Sequence, residues 1–218
     1  MAEFRWFGHN CFRLKGREAT ILTDPVDRRT GYAMPKQQVD IVTLSHEHPG
    51  HTNLTAVKPD YKVVRGPGEY EIHDVFITGI RTYHDTDKGA TLGYNTVYLI
   101  ELEGMTIAHL GDLGHPLTEE QTEAMSKCDI LMIPAGGGQV ISPEVAAEII
   151  GQLEPKVVIP MQYATPIGDK QHGTIDAFCK ALGVDVPPAE EKAVVKLSDL
   201  TEAMKLIVLT PESEAAKR

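Results

Sequence analysis

Apolar and polar positions alternate in short bursts along the first half of the chain and take up a longer period in the second. Segments 4–7, 11–14, 19–23 and 40–44 are brief apolar or alternating runs cut by Gly, Pro and charged residues, the pattern of strands with one or both faces buried. Segments 61–64, 75–80, 96–102 and 105–110 continue it, and Glu103-Gly104 between the last two predicts a hairpin turn. Helical signals begin at Thr118-Glu119-Glu120-Gln121, a capping-box pattern that opens a helix to about residue 127. Ser142-Pro143 sets an N-cap residue before proline, and Val145, Ala146, Ile149, Ile150 and Leu153 then share one apolar face. A third helix is predicted over 174–182, with strands at 129–133 and 156–159 between the helices and one or two more at 193–197 and 205–209. Strands first, then strand and helix in turn, predict two sheets packed together with helices outside. Pro187-Pro188 through Lys192 reads as a surface loop, and no linker or repeat divides the chain, so residues 1–218 are expected to form one domain.

Composition changes this picture little but narrows function. The chain is 42% hydrophobic, enough over 218 residues for a substantial core. A formal charge of −10 with no run of Lys or Arg argues against a nucleic-acid surface. No apolar run approaches the ~18–20 residues that span a bilayer, and Met1 to Trp6 lacks the apolar core of a signal peptide. Cys11, Cys128 and Cys179 are scattered and odd in number, which suits a reducing compartment. The expectation is a cytoplasmic protein that handles a small molecule, with no nucleic acid or membrane partner. Oligomeric state is left open.

The chemistry concentrates in Leu44-Ser45-His46-Glu47-His48-Pro49-Gly50-His51, which holds three of the nine histidines directly after an apolar strand. His46 and His48, two apart on an extended chain end, point the same way and can reach one ion. The usual user of clustered imidazoles is a divalent metal such as zinc, with a chance surface cluster as the bland alternative.

Other chemistry-bearing residues recur at strand ends in order. Asp24-Pro25 ends the third strand, His84 follows a later one in Arg81-Thr82-Tyr83-His84-Asp85, and His109-Leu110-Gly111-Asp112 closes another. This order resembles the metallo-β-lactamase superfamily, whose signature is His-x-His-x-Asp-His followed downstream by His, Asp and His ligands. Trp6-Phe7-Gly8-His9-Asn10-Cys11-Phe12 together with Asp24-Pro25 is similar to its L-ascorbate-6-phosphate lactonase-like branch. The resemblance covers roughly residues 4–165. It implies an α/β fold of the αββα type, a four-layer sandwich of two sheets with helices outside and a metal site at one edge. It further implies a first metal on His46, His48 and His84, with Asp112 bridging to a second metal that would also use His51. Asp24 would orient a ligand from behind.

Two positions depart from the signature. Gly50 stands where it has Asp, and Gln162, after Val157-Val158-Ile159-Pro160-Met161, stands where the last His is expected. Both substituted positions serve the second metal, which is left with His51 and a shared Asp112. The expectation is one good divalent site, zinc first with manganese or iron possible, and a second that is weak or absent.

Each candidate has a plainer reading. His84 could be a polar strand-end residue, Asp112 a turn residue and His51 a hydrogen-bonding loop histidine. His9 is a candidate proton donor or a core histidine, and Asp112 a candidate proton acceptor, so these two are the catalytic candidates. His109 and His115 flank Asp112, with His109 a structural neighbour. His73 and His172 read as surface histidines, Gly136-Gly137-Gly138 as a plain loop, and Glu69 and Tyr70 as part of a turn. The leading expectation is a metal-dependent hydrolase of a small anionic ester, lactone or phosphoester. The rival is a non-catalytic, metal-stabilised protein that binds a metabolite or partner. A nuclease fits poorly, for want of a second metal and a basic track.

Overall fold

In a computed structural model, which describes residues 1–168 and 171–215, two mixed sheets lie face to face. β1 (Ala2–Gly8), β2 (Cys11–Lys15) and β3 (Thr20–Thr23) form an antiparallel meander. β4 (Tyr32–Ala33) lies in an excursion, after which β5 (Ile41–Leu44) and β6 (Lys62–Arg65) add parallel to β3. The second sheet opens with the antiparallel run β7 (Gly68–Ile72), β8 (Val75–Tyr83), β9 (Tyr94–Leu102) and β10 (Met105–His109). β11 (Ile130–Pro134) and β12 (Val157–Met161) extend it in parallel. β13 (Ala193–Val195) returns to pair with β1, β14 (Lys205–Leu206) edges the second sheet, and β15 (Glu214–Ala215) pairs with β4.

The period of two along the early strands sorts side chains onto two cores. Phe4, Trp6, Phe12, Leu14, Ile21 and Ile41 face the second sheet, while Phe7, Cys11, Leu22, Val42 and Leu44 face outward onto a smaller cluster. That outer cluster is covered by the excursion 25–58, which carries two 3-10 turns, Arg28–Thr30 and Leu54–Ala56. α1 (Glu119–Ala124) carries the expected capping box. α2 (Pro143–Leu153) buries Ala146, Ile149, Ile150 and Leu153 in the main core, and α3 (Ile175–Leu182) packs beside it. Tyr98 ties the sheets together, its hydroxyl donating to Leu44 O at 2.8 Å and accepting from Gly66 N at 2.9 Å.

The Glu103-Gly104 turn is as expected, with φ of 55° and 75° in the mirror-image geometry that suits the twist of a hairpin. The turn expected at Glu69 and Tyr70 is corrected: both lie in β7, where backbone pairing with β8 carries a strand whose side chains are largely exposed. Among the described residues no helix is long and apolar enough to cross a membrane.

Candidate metal centre

Chain ends from both sheets converge on one edge of the sandwich. The two-residue tip of the β1–β2 hairpin carries His9 and Asn10, Asp24 follows β3, and Ser45 with the 46–51 loop follows β5. From the second sheet come His84 after β8, Asp112 after β10 and Gln162 after β12. His9, Asp24 and Gln162 hold φ of 52°, 36° and 51°, a left-handed backbone that non-glycine residues adopt where their surroundings over-determine it. Gly136 explains part of the glycine run, because a Cβ there would stand 2.2 Å from Gln162 O.

Asp112 is the hub. Its Oδ2 lies 2.9 Å from His84 Nε2, 3.4 Å from His46 Nε2 and 3.8 Å from His51 Nδ1. His46 Nε2 and His51 Nδ1 are buried without a hydrogen-bond partner. Orphaned imidazole nitrogens beside a carboxylate oxygen are costly by themselves and are what a divalent cation satisfies. Ligand-capable atoms of His46, His84 and Asp112 all lie within 4.8 Å of one another, as do those of His46, His48 and His51, and those of His9, His51 and Asp112. The residues present therefore fit a divalent metal. His48 is the exposed member, its ring 5.7 Å from that of His46 and 5.0 Å from that of His51.

The second oxygen of Asp112 is already taken. Asn10 Nδ2 donates to Asp112 Oδ1 at 2.8 Å and to Asp24 Oδ2 at 2.9 Å. Gln162 Nε2 donates to the same Asp112 oxygen at 2.7 Å and to His9 Nδ1 at 2.9 Å. Gln162 thus fills its place as a double donor, and His9 stacks on His51 with centroids 4.2 Å apart. Behind His46, Asp24 accepts from Ser45 N and Ser45 Oγ, both at 2.7 Å, and Ser45 Oγ lies 2.8 Å from His46 Nδ1. Since the Ser45 hydroxyl donates to Asp24, it accepts from Nδ1 of His46, which leaves Nε2 of the neutral ring bare towards the centre.

Burial and charge among the side chains themselves favour the following protonation states. Burial pushes Asp24 up to about 7, against the pull of His46. Burial opposes the charge on His46, but the Asp112 carboxylate outweighs it and holds His46 at about 8. Burial works against ionised Asp112 too, and the neighbouring imidazoles, His46 first, overcome it and keep the carboxyl well below its usual range. Burial lowers His9 to about 4 and His51 well below its ordinary value, so both rings are neutral near pH 7.

The remaining candidates sort clearly. His109 is the expected structural neighbour, buried with Nε2 2.9 Å from Asn10 O. His115 lies away from the hub, its Nε2 accepting from Tyr83 N at 3.1 Å. His73 is exposed, as expected. His172 is a correction: it is half-buried, 5.5 Å from the His9 ring, and lines the cleft above the centre. Sequence reasoning missed Asn10 and Ser45, although each adjoins a histidine it had singled out. Gly50 sits at φ +109°, and a Cβ there would meet Thr30 Cγ2 at 3.2 Å, Asp27 Oδ1 at 3.8 Å and Arg29 Cβ at 3.9 Å.

With a two-sheet sandwich and a His/Asp cluster at its edge, comparison with known proteins agrees. The Beta-lactamase superfamily domain matches residues 3–162, and the chain belongs to that family. A UPF0173 protein of Pyrococcus furiosus is 32% identical over 188 residues, covering 73% of this chain and 82% of the relative. A UPF0173 metal-dependent hydrolase of Thermococcus onnurineus is 28% identical over 193 residues, covering 76% and 86%. A crystal structure of a metallo-beta-lactamase superfamily protein from Thermotoga maritima is 34% identical, with a TM-score of 0.78 over 96% of this chain and 99% of that one.

Proposed function

We propose that this protein is a metal-dependent hydrolase that cleaves a small anionic ester, lactone or phosphoester with one tightly held divalent metal. The observation that carries the reading is the pair of buried, unpartnered nitrogens, His46 Nε2 and His51 Nδ1, beside Asp112 Oδ2. The names of the Thermococcus relative, a metal-dependent hydrolase, and of the Thermotoga neighbour, which mentions zinc, support it. His46, His48, His84 and Asp112 would hold the ion, with zinc the first expectation and manganese or iron alternatives. A second ion would find His51, the shared Asp112 and, as a weak neutral donor, the amide oxygen of Gln162, which is buried without a partner while its nitrogen is spent on Asp112 and His9; Gly50 offers no ligand. The lactone end of the substrate range rests on Trp6 to Phe12 and Asp24-Pro25 alone. Three buried, free cysteines support a reducing cytoplasm.

When bound, the metal would supply Lewis acidity and a nucleophile available at neutral pH. The chain does the rest. Asp24, through Ser45, keeps Nε2 of His46 aimed inward. Asp112, whose Oδ1 is held by Asn10 and Gln162, would present Oδ2 to the ion and accept a hydrogen bond from water beside it. His9 is neutral near pH 7, and its Nδ1, 2.9 Å from Gln162 Nε2 and 3.2 Å from Asn10 Oδ1, ties the ring to both amides, so that Nε2 can hydrogen-bond a substrate oxygen.

The Gln162 network favours one other reading, a non-catalytic protein whose metal only stabilises the fold. Metal content of protein as purified, beside turnover of a panel of lactones, carboxylic esters and phosphoesters, separates the two. About one equivalent of metal, with turnover lost on chelation, is the expected result. Two tightly held equivalents would overturn the single-site claim, and retained metal with no turnover would put the non-catalytic reading ahead.

A further inference from the structure

The cleft above the centre has a volume of about 300 Å3 and is lined by His9, Arg29, His48, His51, Asp112 and Gln162, among others. Among the described residues Arg29 is the one guanidinium in its lining. It comes from the 3-10 turn Arg28–Thr30, which no part of the metal reading uses. This turn is built against Gly50. Asp27 N donates to Gly50 O at 2.8 Å, Asp27 Oδ1 accepts from Arg29 N at 2.7 Å, and Thr30 Oγ1 donates to Asp27 O at 2.7 Å. The direction a side chain would take from Gly50 is filled by Thr30, Asp27 and the Arg29 stem. An aspartate at position 50 would set its carboxylate against Asp27, so the turn and a ligand at 50 compete for one space.

Arg29 is tied to one carboxylate, with Nε 3.4 Å from Asp27 Oδ2, and no other ion pair involves it among the described residues. Its side chain is 69% exposed, so its terminal nitrogens are free to turn to a ligand while its backbone is fixed by the turn. A guanidinium is always charged and presents a planar fork that matches phosphate and carboxylate oxygens. In a chain of net charge −10, such a cation lining the same cleft as His9, His48, His51 and Asp112 needs a use.

We propose that Arg29 is the anion-binding group of this cleft and takes over the electrostatic work of the missing second cation, selecting substrates that carry a phosphate or carboxylate beside the bond to be cut. The inference rests on the hydrolase reading for its substrate, but not for its anion site. Replacing a cation that also ligates the reacting oxygen with one that only holds a charged substituent divides the labour. The metal would sit at the scissile group and Arg29 at the neighbouring anion.

The test measures inorganic phosphate binding by calorimetry to protein as purified, in wild type, Arg29→Gln and Arg29→Lys, with metal content determined for each. Arg29→Gln is expected to weaken phosphate roughly tenfold or more at unchanged metal content, the scale of one charge-assisted contact, with Arg29→Lys between the two. In turnover, KM for an anionic substrate should rise with kcat within about threefold, and KM for a neutral ester should not move. Equal phosphate affinity in wild type and Arg29→Gln, or no phosphate binding by wild type, overturns the proposal. Failure of the hydrolase reading would appear separately, as absence of turnover in wild type with the phosphate difference intact.

Discussion

Asn10 offers the most direct test of how the centre is held together. Its single amide nitrogen donates to two buried carboxylates, Asp24 at 2.9 Å and Asp112 at 2.8 Å, and the residue is wholly buried. Asn10→Ala removes both donations at once. Hydrogen bonds to charged groups contribute about 1.5–3 kcal/mol each, so the loss is about 3–6 kcal/mol in metal-free protein. For a chain of this size each kcal/mol is worth ~2–4 °C in Tm, which predicts a drop on the order of 10 °C. A divalent cation stabilises the same Asp112 charge, so the drop should be clearly smaller once metal is bound. Scanning calorimetry of metal-depleted and metal-loaded protein, wild type beside Asn10→Ala, measures both quantities. A shift below about 2 °C would show that Asn10 does not hold these carboxylates. An equal drop with and without metal would show that the cost is a packing void and not unmet charge.

Three further outcomes follow from the same geometry. His48→Ala should lose metal and lower the Tm of the metal-loaded protein, yet leave the metal-free Tm nearly unchanged because the ring is exposed; elemental analysis with calorimetry checks it. His46 holds its proton up to about pH 8 in the metal-free site and must release it to bind, so metal affinity should rise about tenfold per pH unit up to that point and then level; a flat affinity between pH 6 and 8 would refute this. Gly50→Asp should cost about 1–3 kcal/mol, because φ +109° strains any side chain and Asp27 stands in its way, and should bring no second equivalent of metal without Gln162→His as well; chemical denaturation and elemental analysis read the two effects.

Periodicity carried the fold because the core is sorted by it. Phe4 and Trp6 fall on one face and Phe7 on the other, as alternation requires, and the helix 143–153 buries the face its spacing marked. β7 was not legible, since Gly66-Pro67-Gly68 reads as a turn and Gly68–Ile72 shows little burial; its strand state comes from backbone pairing with β8. The cluster His46, His48 and His51 was legible by spacing, and His84 through the family resemblance. Asn10 and Ser45 were not, because their roles depend on which carboxylates lie across the site, and those come from distant strands. Gly50 and Gln162 read from sequence as losses. The structure gives each an occupation, Gln162 as a double donor and Gly50 as the seat of the Arg29 turn.

His46 leaves the end of a strand in one sheet and His84 the end of a strand in the other, with Asp112 Oδ2 within 3.4 Å of both. A cation gripped there would rivet two halves of the chain that otherwise meet through apolar contact and a few hydrogen bonds such as Tyr98 to Leu44 and Asn10 to Asp112. Such a rivet acts on the rate of opening as well as on equilibrium, because the sheets cannot part at this edge until the ion leaves. Amide exchange at the ends of β5 and β10 should therefore quicken on chelation well before the rest of the sandwich responds, making this edge the place where a protease would first gain entry.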